Sequence, residues 1–112
     1  MTFEATIAGV AAALPAGGGP LEVSGENALA QALRERLGGD PPGATRPRVV
    51  VETTGGGDAI RAALARVADL GTVVLAGAID RAPIELDLYA DLHVRGLTIV
   101  GVAPRAGPAA AT

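Results

Sequence analysis

The chain has no cysteine, no tryptophan and no lysine, and His93 is its single histidine. The first of these absences removes a disulfide framework, thiolate zinc sites and a cysteine nucleophile together. Phe3 and Tyr89 are the only aromatic residues, so no platform exists on which nucleic-acid bases could stack. All nine basic residues are arginine, and the formal charge of −3 is spread along the chain without a basic stripe. Nucleic acid is therefore not an expected partner. No run approaches the ~20 apolar residues of a membrane span, and the apolar stretch Ile7–Leu14 lacks the positive flank of a signal peptide. The expectation is a soluble, cytoplasmic protein with no membrane partner.

What is present begins with a bias toward Ala, Gly, Pro and Arg. That is the bias of a GC-rich genome, and it carries little functional weight. The 112 residues suffice for one domain whose core needs no metal or disulfide. Residues 1–20 read as an N-terminal helix and linker, and 103–112 as a frayed Ala/Pro/Gly tail.

Ile7, Val10, Ala11 and Leu14 recur at helical spacing and predict a helix over Glu4–Leu14, with a strand through Phe3, Ala5 and Ile7 as the alternative. Pro15–Pro20 is a Gly/Pro linker, and Leu21–Ser24 is a short strand. Leu29, Ala30, Leu33 and Leu37 form the stripe of a helix from about Asn27, with Gln31, Arg34 and Glu35 facing out and Gly38-Gly39 as its stop. Asp40–Pro47, with three prolines and a glycine, predicts an irregular surface loop. Val49-Val50-Val51 has no alternation, which suits a strand buried on both faces. Asp58 is placed to cap a helix through about Asp69 whose apolar face is Ile60, Leu64 and Val67. Thr72–Ala76 is a third strand, Ala78–Pro83 a loop, Leu86–Val94 a short helix and Leu97–Gly101 a last strand. Strands and helices alternating in this way predict an α/β fold of parallel units with right-handed crossovers.

Val49-Val50-Val51-Glu52-Thr53-Thr54-Gly55, the helix ending in Ala68-Asp69-Leu70-Gly71, then Thr72-Val73-Val74-Leu75-Ala76-Gly77 and Leu97-Thr98-Ile99-Val100-Gly101 resemble the second half of a known domain. It is the Rossmann cofactor domain of medium-chain dehydrogenases, the zinc-type alcohol dehydrogenase group. The resemblance runs from about Arg48 to Val102 and extends back toward Leu21. It implies a partial, truncated Rossmann-like domain in three layers, with helices on both faces of a four-stranded parallel sheet equivalent to strands 1-4-5-6 of the order 3-2-1-4-5-6.

On that resemblance Gly25, Asn27 and Ala30 fall on the G-x-G-x-x-G/A turn. The middle position is ordinarily bare backbone, so that a pyrophosphate can approach the helix N-terminus. Asn27 stands there instead, and Glu26 beside it adds like-charge repulsion. The family's ribose-binding acid, about 20 positions beyond the glycines, would fall in Pro42–Pro47, where no acid follows a strand. The family's catalytic domain with its Cys/His/Glu zinc ligands has no counterpart, and no metal is expected. Thr54-Gly55 and Gly77-Ala78 match positions where family members run backbone along the cofactor. Together these residues make a vestigial cofactor or small-ligand site. No cofactor is expected, with weak residual NAD(P) binding as the exception.

Three carboxylates are candidate proton carriers: Glu52, Asp80 and Glu26. Glu52 ends a very apolar strand, where desolvation would suit it to acid or base work. The plainer reading is a rim carboxylate paired with an arginine. Asp80, followed by Arg81, reads more simply as a solvated turn, and His93 as a surface histidine near a helix terminus. Ser24 lacks the G-x-S-x-G elbow of a nucleophile. Gly55-Gly56-Gly57-Asp58 resembles a phosphate cradle but lacks the Lys and Ser/Thr of a P-loop.

Without strands 2 and 3 of the parent order, the Leu21–Ser24 strand becomes an edge, only partly blunted by Glu22. The N-terminal segment, a second copy or a partner chain is expected to cover it. In the family the last strand commonly pairs edge to edge, so Ile99 and Val100 could form a homodimer. The leading functional expectation is a dehydrogenase-like protein without hydride transfer, serving as a homodimeric binding or accessory protein. The alternatives are a small non-redox biosynthetic enzyme (isomerase, cyclase or dehydratase) reusing the vacated cleft for a small-molecule ligand, and one half of a split NAD(P)-dependent oxidoreductase.

Overall fold

A computed structural model describes residues 3–17, 19–40, 43, 46–77 and 83–103. Strands β1 (Leu21–Ser24), β2 (Val49–Glu52), β3 (Thr72–Leu75) and β4 (Thr98–Gly101) form one parallel sheet in the order β1-β2-β3-β4. Leu21, Val49, Thr72 and Thr98 stand level at one end, and Ser24, Glu52, Leu75 and Gly101 at the other.

Helices α1 (Glu4–Ala13) and α2 (Ala28–Leu37) cover one face, where Ile7, Val10, Ala30 and Leu33 pack against Val23, Val49, Val51 and Val74. Helix α3 (Gly57–Arg66) and a π-helix (Leu88–His93) cover the other, where Ile60, Ala63, Leu64 and Val67 meet Val50, Val73 and Leu97. The unbroken valine run of β2 is thus shared between two cores, as its lack of alternation implied. Among the described residues no helix is long and apolar enough to cross a membrane.

Local chemistry departs from the sequence expectation in several places. Ile7 and Val10 are buried but Ala11 is exposed. Asp58 does not cap α3: the cap is Gly56, without a side-chain bond, and the helix ends at Arg66 rather than Asp69. Its last carbonyls are met instead by Arg95, which donates from Nη1 to Leu64 O at 2.6 Å and from Nη2 to Val67 O, while Nε holds Asp69 at 2.9 Å. The segment predicted as an ordinary short helix is π-helical, its rings closed by Val94 N–H to Tyr89 O (2.9 Å) and Leu97 N–H to Leu92 O (3.1 Å).

The expectation of right-handed crossovers fails at the first one. From β2 through α3 to β3, and from β3 through the π-helix to β4, the chain steps the same way across the sheet over the same face. From β1 through α2 to β2 it steps the same way over the opposite face, so that connection has the opposite hand. Since ≈ 98% of such crossovers are right-handed, the first is the left-handed one. Asp40 supplies the physical reason. It forms a parallel bridge with Glu22, accepting from Val23 N–H at 2.7 Å and donating to Leu21 O at 3.0 Å. The inner side of β1 is taken by β2, so Asp40 lies on the outer side. From β1 through α2 to Asp40 both the direction and the face are reversed, which restores the ordinary hand. The chain completes a right-handed unit on a strand one residue long, and only then returns to β2. The stretch Asp40–Pro47 is therefore not loop throughout.

Two arginines finish that edge. Arg34, expected to face out, donates from Nη2 to Val23 O (2.6 Å) and Gly25 O (2.7 Å). Glu22, expected to blunt the edge, points instead across the far face of β1, where Arg66 Nε holds its carboxylate at 3.0 Å. The Glu22 side chain is 4% exposed.

Candidate functional site

The carboxyl ends of the strands are where open α/β sheets bind ligands, and there the backbone of three strands converges on one residue. Thr53, 3% exposed, donates from Oγ1 to Ser24 O at 2.6 Å and accepts at its carbonyl from Asn27 Nδ2 at 3.2 Å. Gly25 has φ 110°, and any Cβ there would collide with Thr53 Oγ1. A Cβ on Gly77 would run into the Thr53 carbonyl. The glycines kept at these turns are accounted for by the close approach of the strand ends to Thr53. Sequence reasoning singled out its neighbours and missed it. The remaining signal was a small polar residue between a buried strand and a glycine turn.

Asn27 is the cap of α2. Its Oδ1 accepts from Ala30 N–H at 2.8 Å while Nδ2 reaches Thr53, a capping arrangement that stabilises a helix by about 1 kcal/mol. The place where a helix N-terminus would meet phosphate is filled by the chain's own amide. Glu26 is exposed beside it, and Ala30 is fully buried in the α2 interface.

Glu52 is not a rim carboxylate, and among the described residues no arginine is bonded to it. It is 1% exposed and turned onto its own β2–α3 turn. Both carboxylate oxygens accept from Thr54 N–H at 2.9 Å and from Gly55 N–H at 3.2–3.3 Å, and one also takes the Thr54 hydroxyl. The Thr54 and Gly55 amides, which the resemblance sets along a cofactor, are thereby directed inward. Thr54 itself is exposed, whereas Gly55 and Gly77 are buried. Asp80, Arg81 and Ala78 lie outside the described residues. Ser24 is buried and serves through its carbonyl. His93 is exposed, with its ring 5.6 Å from that of Tyr89. Among the described residues no group of three or more His, Asp or Glu could hold a metal ion.

No protein-family model matches the chain, and no curated protein does. Solved structures do. A zinc-binding dehydrogenase of Sinorhizobium meliloti, bound to NADP, aligns with 88% of this chain and 41% of its own at TM-score 0.62 and 19% identity. A zinc-binding dehydrogenase of Clostridium scindens aligns with 88% of this chain and 40% of its own at TM-score 0.58 and 18% identity. The fold is Rossmann-like. At this identity the likeness is one of fold, and this chain spans about two fifths of the length of the proteins it matches. The four-stranded parallel sheet with helices on both faces is the arrangement the resemblance implied.

Proposed function

We propose that this chain is a non-redox derivative of a dehydrogenase cofactor domain, acting as a binding or accessory protein without hydride transfer. The observation that carries this reading is the Asn27 side chain, tied at one end to Ala30 N–H and at the other to the Thr53 carbonyl. A dinucleotide seated in the family's manner must displace it. That displacement breaks both bonds, at about 1 kcal/mol each. Glu52, holding the Thr54 and Gly55 amides, supports the same conclusion, and so does a β1 edge that stops at Asp40. The occupied state of the Glu52 carboxylate also weighs against its use as a proton carrier. NADP in the Sinorhizobium protein favours the second reading, in which this chain keeps residual NAD(P) binding as part of a larger oxidoreductase.

Calorimetric titration with NADH and NADPH separates the two. The first reading requires no saturable heat at millimolar nucleotide. Micromolar affinity would overturn it in favour of the second.

We infer further that the partner is a second copy, docked along β4. Thr98 and Val102 donate toward β3, so the alternation of a strand turns the backbone groups of Ile99 and Gly101 outward. The Ile99 side chain is 36% exposed beside them.

A further inference from the structure

A second concave site lies at the opposite end of the sheet from Asn27. The amino ends of β1 and β2 and the carboxyl ends of α1 and α2 enclose a cleft of about 410 Å³, within the range of small-ligand pockets. Leu14, Pro20, Leu21, Leu37 and Val49 contribute apolar side chains to a lining that is about as polar as apolar, and Asp40 is the only ionisable residue among the described residues of that lining. We propose that this cleft binds a small organic cation, an ammonium group on a compact hydrocarbon body.

Three features give the cleft its sign. Both helices present their C-terminal ends, through Leu14 and Gly38, and a helix C-terminus carries partial negative charge. The last turn of α1 holds no basic residue, and the two arginines in that of α2 are engaged elsewhere. Arg34 is bonded to the Val23 and Gly25 carbonyls, and Arg36 to Glu4. Asp40 adds a full charge on backbone pinned by its two bonds to β1. Arg48 packs its stem against Gly19 next to the cleft but is not part of the lining. The hydrocarbon body is accommodated by the leucine, proline and valine walls. Asp40, bridged to the outer side of β1, forms part of the cleft wall, so the site lies at the opposite end of the sheet from the carboxyl ends of the strands.

Amide-resolved NMR titration of the full chain tests the proposal with cyclohexylammonium, cyclohexanol and cyclohexanecarboxylate as probes. Cyclohexylammonium should shift the amides of Gly19, Leu21 and Gly38 saturably, with affinity on the order of 1–10 mM. Cyclohexanol should bind about fivefold more weakly, and the carboxylate should cause no saturable shift. Asp40→Asn keeps the backbone bridge to Leu21 and Val23, and should lower the amine's affinity to that of the alcohol. Equal affinity for amine and alcohol, an unaffected Asp40→Asn variant, or no saturable shift with the amine would each overturn the proposal. Should Asp40→Asn fail to fold, the three probes on the native chain still decide. A nucleotide binding at the other end would perturb Gly25 and Asn27 instead, so this test and that of the proposed function fail separately.

Discussion

Along β1 the outward-facing Leu21 carbonyl, the Val23 N–H and carbonyl, and the Gly25 carbonyl meet Asp40 and Arg34. Along β4 the outward groups of Ile99 and Gly101 meet no described residue. The two edges also differ in what lies over them. The far face of β1 carries the Glu22–Arg66 pair, whereas β4 leaves Thr98, Ile99 and Gly101 exposed. An unpaired edge is a template for another chain, so the contrast indicates which side can recruit one. The side next to the missing strands, which the sequence marked as the hazard, is closed from within by polar groups. The side that resembles an intact domain is the open one.

Substitutions should divide along the same line, with stability changing at β1 and association at β4. The largest effect is expected for Arg66→Met, which leaves the buried Glu22 carboxylate without its partner and should cost roughly 3 kcal/mol. Urea unfolding would show this as a lower midpoint at unchanged slope. Adding Glu22→Leu should recover most of the loss, because a buried ion pair replaced whole by apolar groups is close to neutral. A neutral Arg66→Met would mean that the pair does not hold the far face of β1. Arg34→Met comes next, at about 2 kcal/mol, since it strips two strand carbonyls of their donor. Thermal melts that place it within error of the native chain would show that water serves as well as the guanidinium. Asn27→Ala should cost about 1 kcal/mol through the lost cap, with Asn27→Gly appreciably milder. Ile99→Lys should change stability least, within about 0.5 kcal/mol, yet abolish pairing. Sedimentation should then move from twice the 11.0 kDa chain mass to the monomer. A native chain already monomeric at high concentration would remove β4 as an interface.

The elements were legible because their signals are local. The valine run of β2, the stripe of α2 with its Gly38 stop, and the G-T-V-V strand β3 all fell within a residue or two of their observed limits. What escaped was written in long-range pairing. Arg66 meets Glu22 across 44 positions, and Arg34 meets Val23 across 11. Surface spacing on a helix cannot tell a solvated arginine from one folded back over a strand. Asn27 was read as an intruder at the phosphate position, but its bond to Thr53, 26 residues away, was not visible. Thr53 was read only as part of the β2 segment, and it proved to be the residue on which the strand ends converge. The hand of the first crossover depends on Asp40 standing beside β1, and no propensity encodes that. Glu52 was located as the end of a buried strand. Its partners were missed because the turn amides that satisfy it come from its own next three residues, where an arginine was expected.

The claim that the gap in the sheet is closed from within is tested most directly by amide hydrogen exchange at Val23 and Ile99, followed as a function of protein concentration. Val23, bonded to the Asp40 carbonyl, should be protected to the level of global unfolding at every concentration. Ile99 should exchange rapidly when dilute and slow as copies pair. Rapid exchange at Val23, or protection there that appears only at high concentration, would contradict the account.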